Sequence, residues 1–125
     1  MARGKFIAFL DADDFIPPNY LYELVKCCEI GDVAICDTVF LDEKAVKFRF
    51  TVGKTVLTRT DAINALLIRK SINSGPAGKL YKKELIANLK FPSIKTYEDI
   101  LFTLDALLNA NKIVTTDRTQ YFYVE

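Results

Sequence analysis

The residues able to do chemistry here are the aspartates Asp11, Asp13 and Asp14 of the run DADD, the pair Glu98-Asp99, and Lys79 behind the turn GPAG. The chain contains no histidine, so Ser-His-Asp and Cys-His catalysis are both excluded. Acid, base and metal-ligand roles fall to Asp, Glu, Lys, Tyr and Cys, with carboxylates the natural candidates. Two carboxylates at i and i+2, leaving a strand into a loop, can converge on one hard divalent cation, and a third at i+3 can orient a ligand or a metal-bound water. The plain alternative is a turn solvated by acidic residues that also favour the N-terminus of the next helix. DADD alone leaves both open.

Glu98 and Asp99 admit two compatible roles. Thr96 and Asp99 form a capping box, and Glu98 in a first helical turn suits the helix dipole. A cap also fixes a carboxylate at a helix end, as a general base must be fixed against a substrate hydroxyl. Gly75 and Gly78 allow tight turns and close backbone approach, which would let Lys79 meet a phosphate or a sugar hydroxyl. The weightier reading of Lys79 is a solvated lysine on a surface loop.

The elements that must position these groups are legible in outline. At 125 residues, half of them apolar, the chain suits one domain, residues 1–125, with a real core. Seventeen basic against sixteen acidic residues, without a basic block, speak against nucleic acid as a partner. No apolar run approaches the ~20 residues of a membrane span, and no signal-peptide core follows MARGKF, so a soluble cytoplasmic chain is expected. Cys27, Cys28 and Cys36 are odd in number and two are adjacent, which suits neither a disulfide framework nor a zinc site. They read as ordinary reduced thiols.

KFIAFLD reads as a buried strand ending in the aspartates. Pro17 and Pro18 open a helix over YLYELVKCCEI, with Leu21, Leu24, Val25 and Cys28 on its apolar face and Gly31 as its stop. DVAICDTVFL and KAVKFRF predict a hairpin. A capping box of Thr58 and Asp61 starts the helix DAINALLIRK. NSGPAG breaks the chain, KLYKKELIANL runs from a strand or turn into a helix, and KFPSIK is a loop. YEDILFTLDALLNAN forms a helix with Ile100, Leu101, Leu104, Leu107 and Leu108 on one face, and KIVTT and QYFYV are closing strands. Tyr121, Phe122 and Tyr123 read as core and sheet residues rather than a stacking platform for a sugar. The fold class is α/β.

Several of these segments together resemble family 2 glycosyltransferases. ARGKFIAFLDADDFIPPNYLYELV is similar to the segment around that family's D-x-D motif, with a proline and a leucine-rich helix behind it. GKLYKKELIANLKFPSIKTYEDILFTLDALLNANKIVTTDRTQYFYV is similar, in order, to its K-L-(Y/F)-(K/R) segment, F-P loop, E-D pair opening a helix and closing Y-x-Y strand. Residues 32–72 are less diagnostic.

The resemblance implies a partial GT-A fold, a Rossmann-like mixed sheet flanked by helices. It also implies inverting transfer of a sugar from a nucleotide-sugar donor to an acceptor hydroxyl, with a saccharide or lipid-linked acceptor. Asp13 would be the direct ligand of Mn2+ or Mg2+, Asp11 would lie nearer the ribose or a metal-bound water, and Asp14 would assist. Asp99, or else Glu98, would be the general base, and Lys79 would contact donor or acceptor. Surface polysaccharide assembly at the cytoplasmic face of a membrane, with peripheral association, belongs to the same implication. The family's first strand-helix units, opening on V-S-(V/I)-I-I-P-x-Y-N, do not precede Met1, so an uncovered sheet edge open to homo-dimerisation is expected. Two other classes stay open: a noncatalytic, self-associating remnant, and a Mg2+-dependent phosphatase of the haloacid-dehalogenase type, which also carries D-x-D at a strand end. Against the phosphatase, Phe15 stands where it has Thr or Val, and no G-D-x-x-x-D follows.

Overall fold

A computed structural model describes residues 5–43, 45–68, 71–87, 89 and 98–124. It contains β1 (Phe6–Ala8), α1 (Tyr20–Cys28), β2 (Val33–Leu41), β3 (Val46–Phe50), β4 (Thr55–Thr58), α2 (Arg59–Leu67), β5 (Lys79–Lys82), α3 (Lys83–Ile86), α4 (Glu98–Asn109) and β6 (Lys112–Val124). The strands form one six-stranded mixed sheet in the order β1-β5-β2-β6-β4, with β3 paired to β2 beside this path. β2 and β6 are parallel, β5 is antiparallel to both β1 and β2, and β2 and β3 form the expected antiparallel pair.

The alternation of side chains along β2 builds both halves of the core. Val33 and Ile35 pack with Ala62 and Leu66 of α2 and with Phe102, Ala106 and Leu107 of α4. Ala34 and Cys36 point the other way and pack with Tyr20, Leu24 and Cys28 of α1. Period-two alternation with apolar residues on both faces is what a sheet covered by helices on both sides requires. Each fully buried side chain such as Leu24 contributes about 1.5–3 kcal/mol of transfer free energy.

Several sequence expectations are corrected. β1 is a short, half-buried edge strand rather than a buried one, because β5 is its only partner among the described strands. Leu21 is 51% exposed and Tyr20 takes its place in the buried stripe of α1, beside the expected Leu24 and Cys28. In α4, Leu108 is exposed while Phe102, Thr103, Ala106 and Leu107 are buried. KIVTT and QYFYV are one strand. Cys36 pairs with Thr116 and Asp37 with Gln120, so Asp117–Thr119 bulge out of a continuous ladder. Asn19 holds that bulge, its Nδ2 donating to the Arg118 carbonyl (3.0 Å) and its Oδ1 accepting from the Thr119 hydroxyl (3.0 Å). Thr55–Thr58, not foreseen as a strand, pairs antiparallel with β6.

Other expectations hold. The Thr58 hydroxyl accepts from the Asp61 N–H (3.1 Å) and caps α2. Gly31 follows α1, and a Cβ there would lie 2.8 Å from the Lys112 carbonyl oxygen, so close approach of β6 is what requires glycine. All three cysteines are free. Among the described residues no helix is long and apolar enough to cross a membrane. The Thr96–Asp99 box and the loop KFPSIK lie outside the described residues.

Candidate active site

The carboxyl ends of β1, β2 and β6 and the amino end of β5 share one end of the sheet, as their pairing directions dictate. Loops at the carboxyl ends of strands are where open α/β sheets place ligands. Here the chain leaving β1 makes a tight turn, closed by the Asp14 N–H donating to the Asp11 carbonyl (3.1 Å). Phe15 then forms a two-way backbone bridge with Phe122 (3.2 and 3.1 Å). Their rings stack at 4.6 Å and 10°.

The turn is fastened to β6 through Asp14. Its Oδ2 accepts from the Tyr121 hydroxyl (2.7 Å) and its Oδ1 from the Val124 N–H (3.0 Å). The same Tyr121 oxygen accepts the Asp11 N–H (3.1 Å). Burial, reinforced by the Asp14 and Asp11 carboxylates, holds the Tyr121 phenol well above its ordinary range, so it stays a donor to Asp14. Asp11 and Asp13 are exposed. Among the described residues their carboxylates have no hydrogen-bond or ion-pair partner.

Phe9 ties this turn to α4. Its ring meets Phe102 at 5.4 Å and Tyr81 at 6.0 Å, and Phe102 meets Tyr81 at 6.0 Å. Phe9 lies two residues before Asp11, and Phe102 lies one helical turn beyond Glu98 and Asp99, the first residues of α4. The contact packs α4, one turn beyond its first residues, against the segment that leads into the aspartate turn; the side chains of Glu98 and Asp99 are outside what is described.

Lys79 corrects the expectation of a solvated lysine. It is 0% exposed, and its ammonium donates to the carbonyls of Asn73 (3.0 Å), Gly75 (2.6 Å) and Ala77 (3.3 Å). An ammonium has three N–H donors. All are occupied by this chain, so Lys79 as placed presents none of them to donor or acceptor. Burial pulls the ammonium from its usual 10.5 to about 7, while the three carbonyls favour the charged form.

Tyr121 is the site residue that sequence reading missed. As expected it is a buried sheet residue, but its hydroxyl also spans to a turn more than a hundred positions away. Nothing local to QYFYV signals that.

Among the described residues no group of three or more His, Cys, Asp or Glu is placed to hold a metal ion. Two exposed carboxylates on a fastened turn still fit a hard cation that completes its shell with water and substrate phosphate oxygens, the usual way Mg2+ is bound.

The likenesses to known proteins run through this same architecture. The family model described as glycosyl transferase family 2 matches residues 1–89. The poly(ribitol-phosphate) beta-N-acetylglucosaminyltransferase TarS of Staphylococcus aureus is 30% identical over 125 residues, covering 98% of this chain and 21% of TarS. The minor teichoic acid biosynthesis protein GgaA of Bacillus subtilis is 30% identical over 130 residues, covering 97% of this chain and 28% of GgaA. The crystal structure of S. aureus TarS 1-349 in complex with UDP superposes with a TM-score of 0.78 at 27% identity, over 99% of this chain and 37% of that one. The complex with UDP-GlcNAc gives 0.76 at 26% identity, over 99% of this chain and 36% of that one. The chain thus spans between a fifth and two fifths of the length of these relatives. The phosphatase reading gives way here, and the mixed sheet with its flanking helices is part of a GT-A fold: the chain belongs to the family 2 glycosyltransferases.

Proposed function

We propose that this chain supplies the diphosphate-binding turn and the acceptor-activating helix of an inverting glycosyltransferase that moves a sugar from a nucleotide-sugar donor to an acceptor hydroxyl in surface polysaccharide assembly. The observation that carries the reading is the division of labour in the turn: Asp14 is committed to Tyr121 and Val124, which leaves Asp11 and Asp13 exposed on a fixed frame. The likeness to TarS solved with UDP and UDP-GlcNAc supports a nucleotide diphosphate as the partner of that frame.

Asp13 would hold Mn2+ or Mg2+ directly, and Asp11 would take the ribose or a metal-bound water. When bound, the cation offsets the charge that builds on the departing nucleoside diphosphate, a contribution of several kcal/mol. Asp99, or else Glu98, would take the proton of the acceptor hydroxyl as its oxygen bonds to the anomeric carbon and the bond to the diphosphate oxygen breaks. One displacement inverts the configuration, and such a base is typically worth about 10²- to 10⁴-fold. The acceptor would be a saccharide or lipid-linked chain at the cytoplasmic face of a membrane.

Calorimetric titration with UDP, with and without Mn2+, beside Asp13→Ala tests the reading. Metal-dependent heat in the parent chain that vanishes in the variant is expected. Silence with UDP, GDP and dTDP alike would refute donor binding by this chain and favour the noncatalytic, self-associating alternative.

A further inference from the structure

The aspartate turn rests on Tyr121, and Tyr121 in turn rests on a loop to which the proposed reaction gives no part. Residues 73–78 fold round the buried Lys79 ammonium through the three carbonyls described above. The Asn73 side chain fastens the loop from its other side: Nδ2 donates to the Thr38 hydroxyl (2.7 Å) and the Ala77 carbonyl (3.4 Å), and Oδ1 accepts the Gly75 N–H (2.9 Å). Gly78 turns the chain into β5 at φ +76°, a conformation that disfavours a side chain. A Cβ there would lie 3.1 Å from the Thr38 hydroxyl and 3.6 Å from the Tyr121 Cβ, and a Cβ on Gly75 would lie 3.1 Å from the Tyr123 hydroxyl. The loop is thus laid directly on Thr38 of β2 and on Tyr121 and Tyr123 of β6, whose two rings meet at 4.9 Å.

An ammonium with no exposed surface is an expensive way to fill space, since an apolar side chain of similar length would pack there without desolvating a charge. What an apolar side chain would not do is satisfy the carbonyls of Asn73, Gly75 and Ala77 together. The lysine is therefore explained by the loop it gathers, and the loop is pressed on the tyrosine that fastens Asp11 and Asp14.

We propose that Lys79 and Asn73 are positioning residues of the candidate active site: they hold loop 73–78 against Tyr121 and Tyr123 and so fix the hydroxyl that orients Asp11 and Asp14. The mechanical part stands on the contacts alone, while its consequence for donor binding rests on the function proposed above. The two parts are tested separately. Amide exchange followed by NMR reads the Asp11 and Val124 N–H groups, which report the turn, and the Asp32 N–H, which donates to the Lys112 carbonyl at the opposite end of the sheet.

In Thr38→Val, which keeps the volume and removes the nearer of the two acceptors of Asn73 Nδ2, exchange at Asp11 and Val124 should quicken about tenfold while Asp32 stays within about twofold, the signature of local rather than global opening. Lys79→Met should give the same pattern with a larger effect. Mn2+-dependent UDP affinity should fall about tenfold in Thr38→Val if the turn is the donor site. Unchanged exchange at Asp11 and Val124, or equal acceleration at all three amides, would overturn the positioning role. Absence of UDP binding in the parent chain would refute the donor-site reading and leave the exchange result to decide the mechanical claim.

Discussion

Alanine placed at each aspartate of the turn in succession should separate what holds the turn from what the turn holds. Asp14→Ala removes two charge-assisted hydrogen bonds, from the Tyr121 hydroxyl and from the Val124 N–H. Such bonds are worth about 1.5–3 kcal/mol each where water is excluded. Asp14 is half-buried and Val124 exposed, so water recovers part of the loss. The Tyr121 hydroxyl, on a buried residue, keeps the Asp11 N–H but loses its own acceptor. A net cost of about 2 kcal/mol follows, which for a chain of this size lowers Tm by roughly 6–10 °C.

Asp13→Ala and Asp11→Ala remove exposed carboxylates without a described partner and should stay within about 0.5 kcal/mol of the parent. In calorimetry the order reverses. Asp13→Ala should abolish Mn2+-dependent UDP binding and Asp11→Ala should weaken it, while Asp14→Ala should weaken it only as far as the turn loosens. Thermal melts by circular dichroism beside UDP titrations read both quantities on the same samples. Equal destabilisation by Asp13→Ala and Asp14→Ala, or an unchanged Tm in Asp14→Ala, would refute the division of labour.

Two further outcomes follow from other parts of the molecule. Because burial pulls Lys79 to about 7 in the fold, the folded chain binds fewer protons than the unfolded one between that value and its usual 10.5, so stability rises with pH across this window by at most about 1.4 kcal/mol per unit. The burial penalty is fully present below about 7. Cys28 and Cys36, pushed up by burial to about 11 and about 12, oppose the rise once unfolded thiols ionise near pH ~8.5. The clean reading is therefore a higher urea midpoint at pH ~8 than at pH ~7 that disappears in Lys79→Met; a flat parent profile would count against it. Asn19→Ala should cost about 1–2 kcal/mol by leaving the buried Thr119 hydroxyl and the Arg118 carbonyl without their partner. Asn19→Asp, which keeps the acceptor for Thr119, should recover about half in the same urea titration.

What the sequence disclosed was chemistry confined to neighbours. The DADD turn, the Thr58 cap of α2 and the helix beginning near Glu98 each depend on residues within a few positions, and each was legible. What it concealed depends on partners far along the chain. Asp117-Arg118-Thr119 reads as a break because it lies at the middle of a polar stretch, Thr115 to Gln120, between two apolar runs, yet parallel pairing with β2 and the side chain of Asn19 carry β6 through as a bulge. Thr55–Thr58 has too little alternation to announce a strand and becomes one by pairing with β6. The sequence reads Lys79 as a solvated surface lysine or else a phosphate or sugar contact, and its environment departs from both because the acceptors it meets are the carbonyls of its own preceding loop.

The same distinction explains why the candidate site gathers at one end of the sheet. In a wholly parallel sheet every strand would deliver its carboxyl-terminal loop to that end. Here β5 runs against its neighbours β1 and β2, so what reaches the aspartate turn beside the ends of β2 and β6 is the loop that precedes β5. A loop entering a strand has no strand-end aspartates to offer, and it comes with backbone carbonyls that need donors. Lys79, the first residue of β5, is placed where one side chain reaches three of them. At the start of this reversed strand the Lys79 side chain gathers the loop that precedes it, and the gathered loop serves as a wall for Tyr121 rather than as a ligand contact.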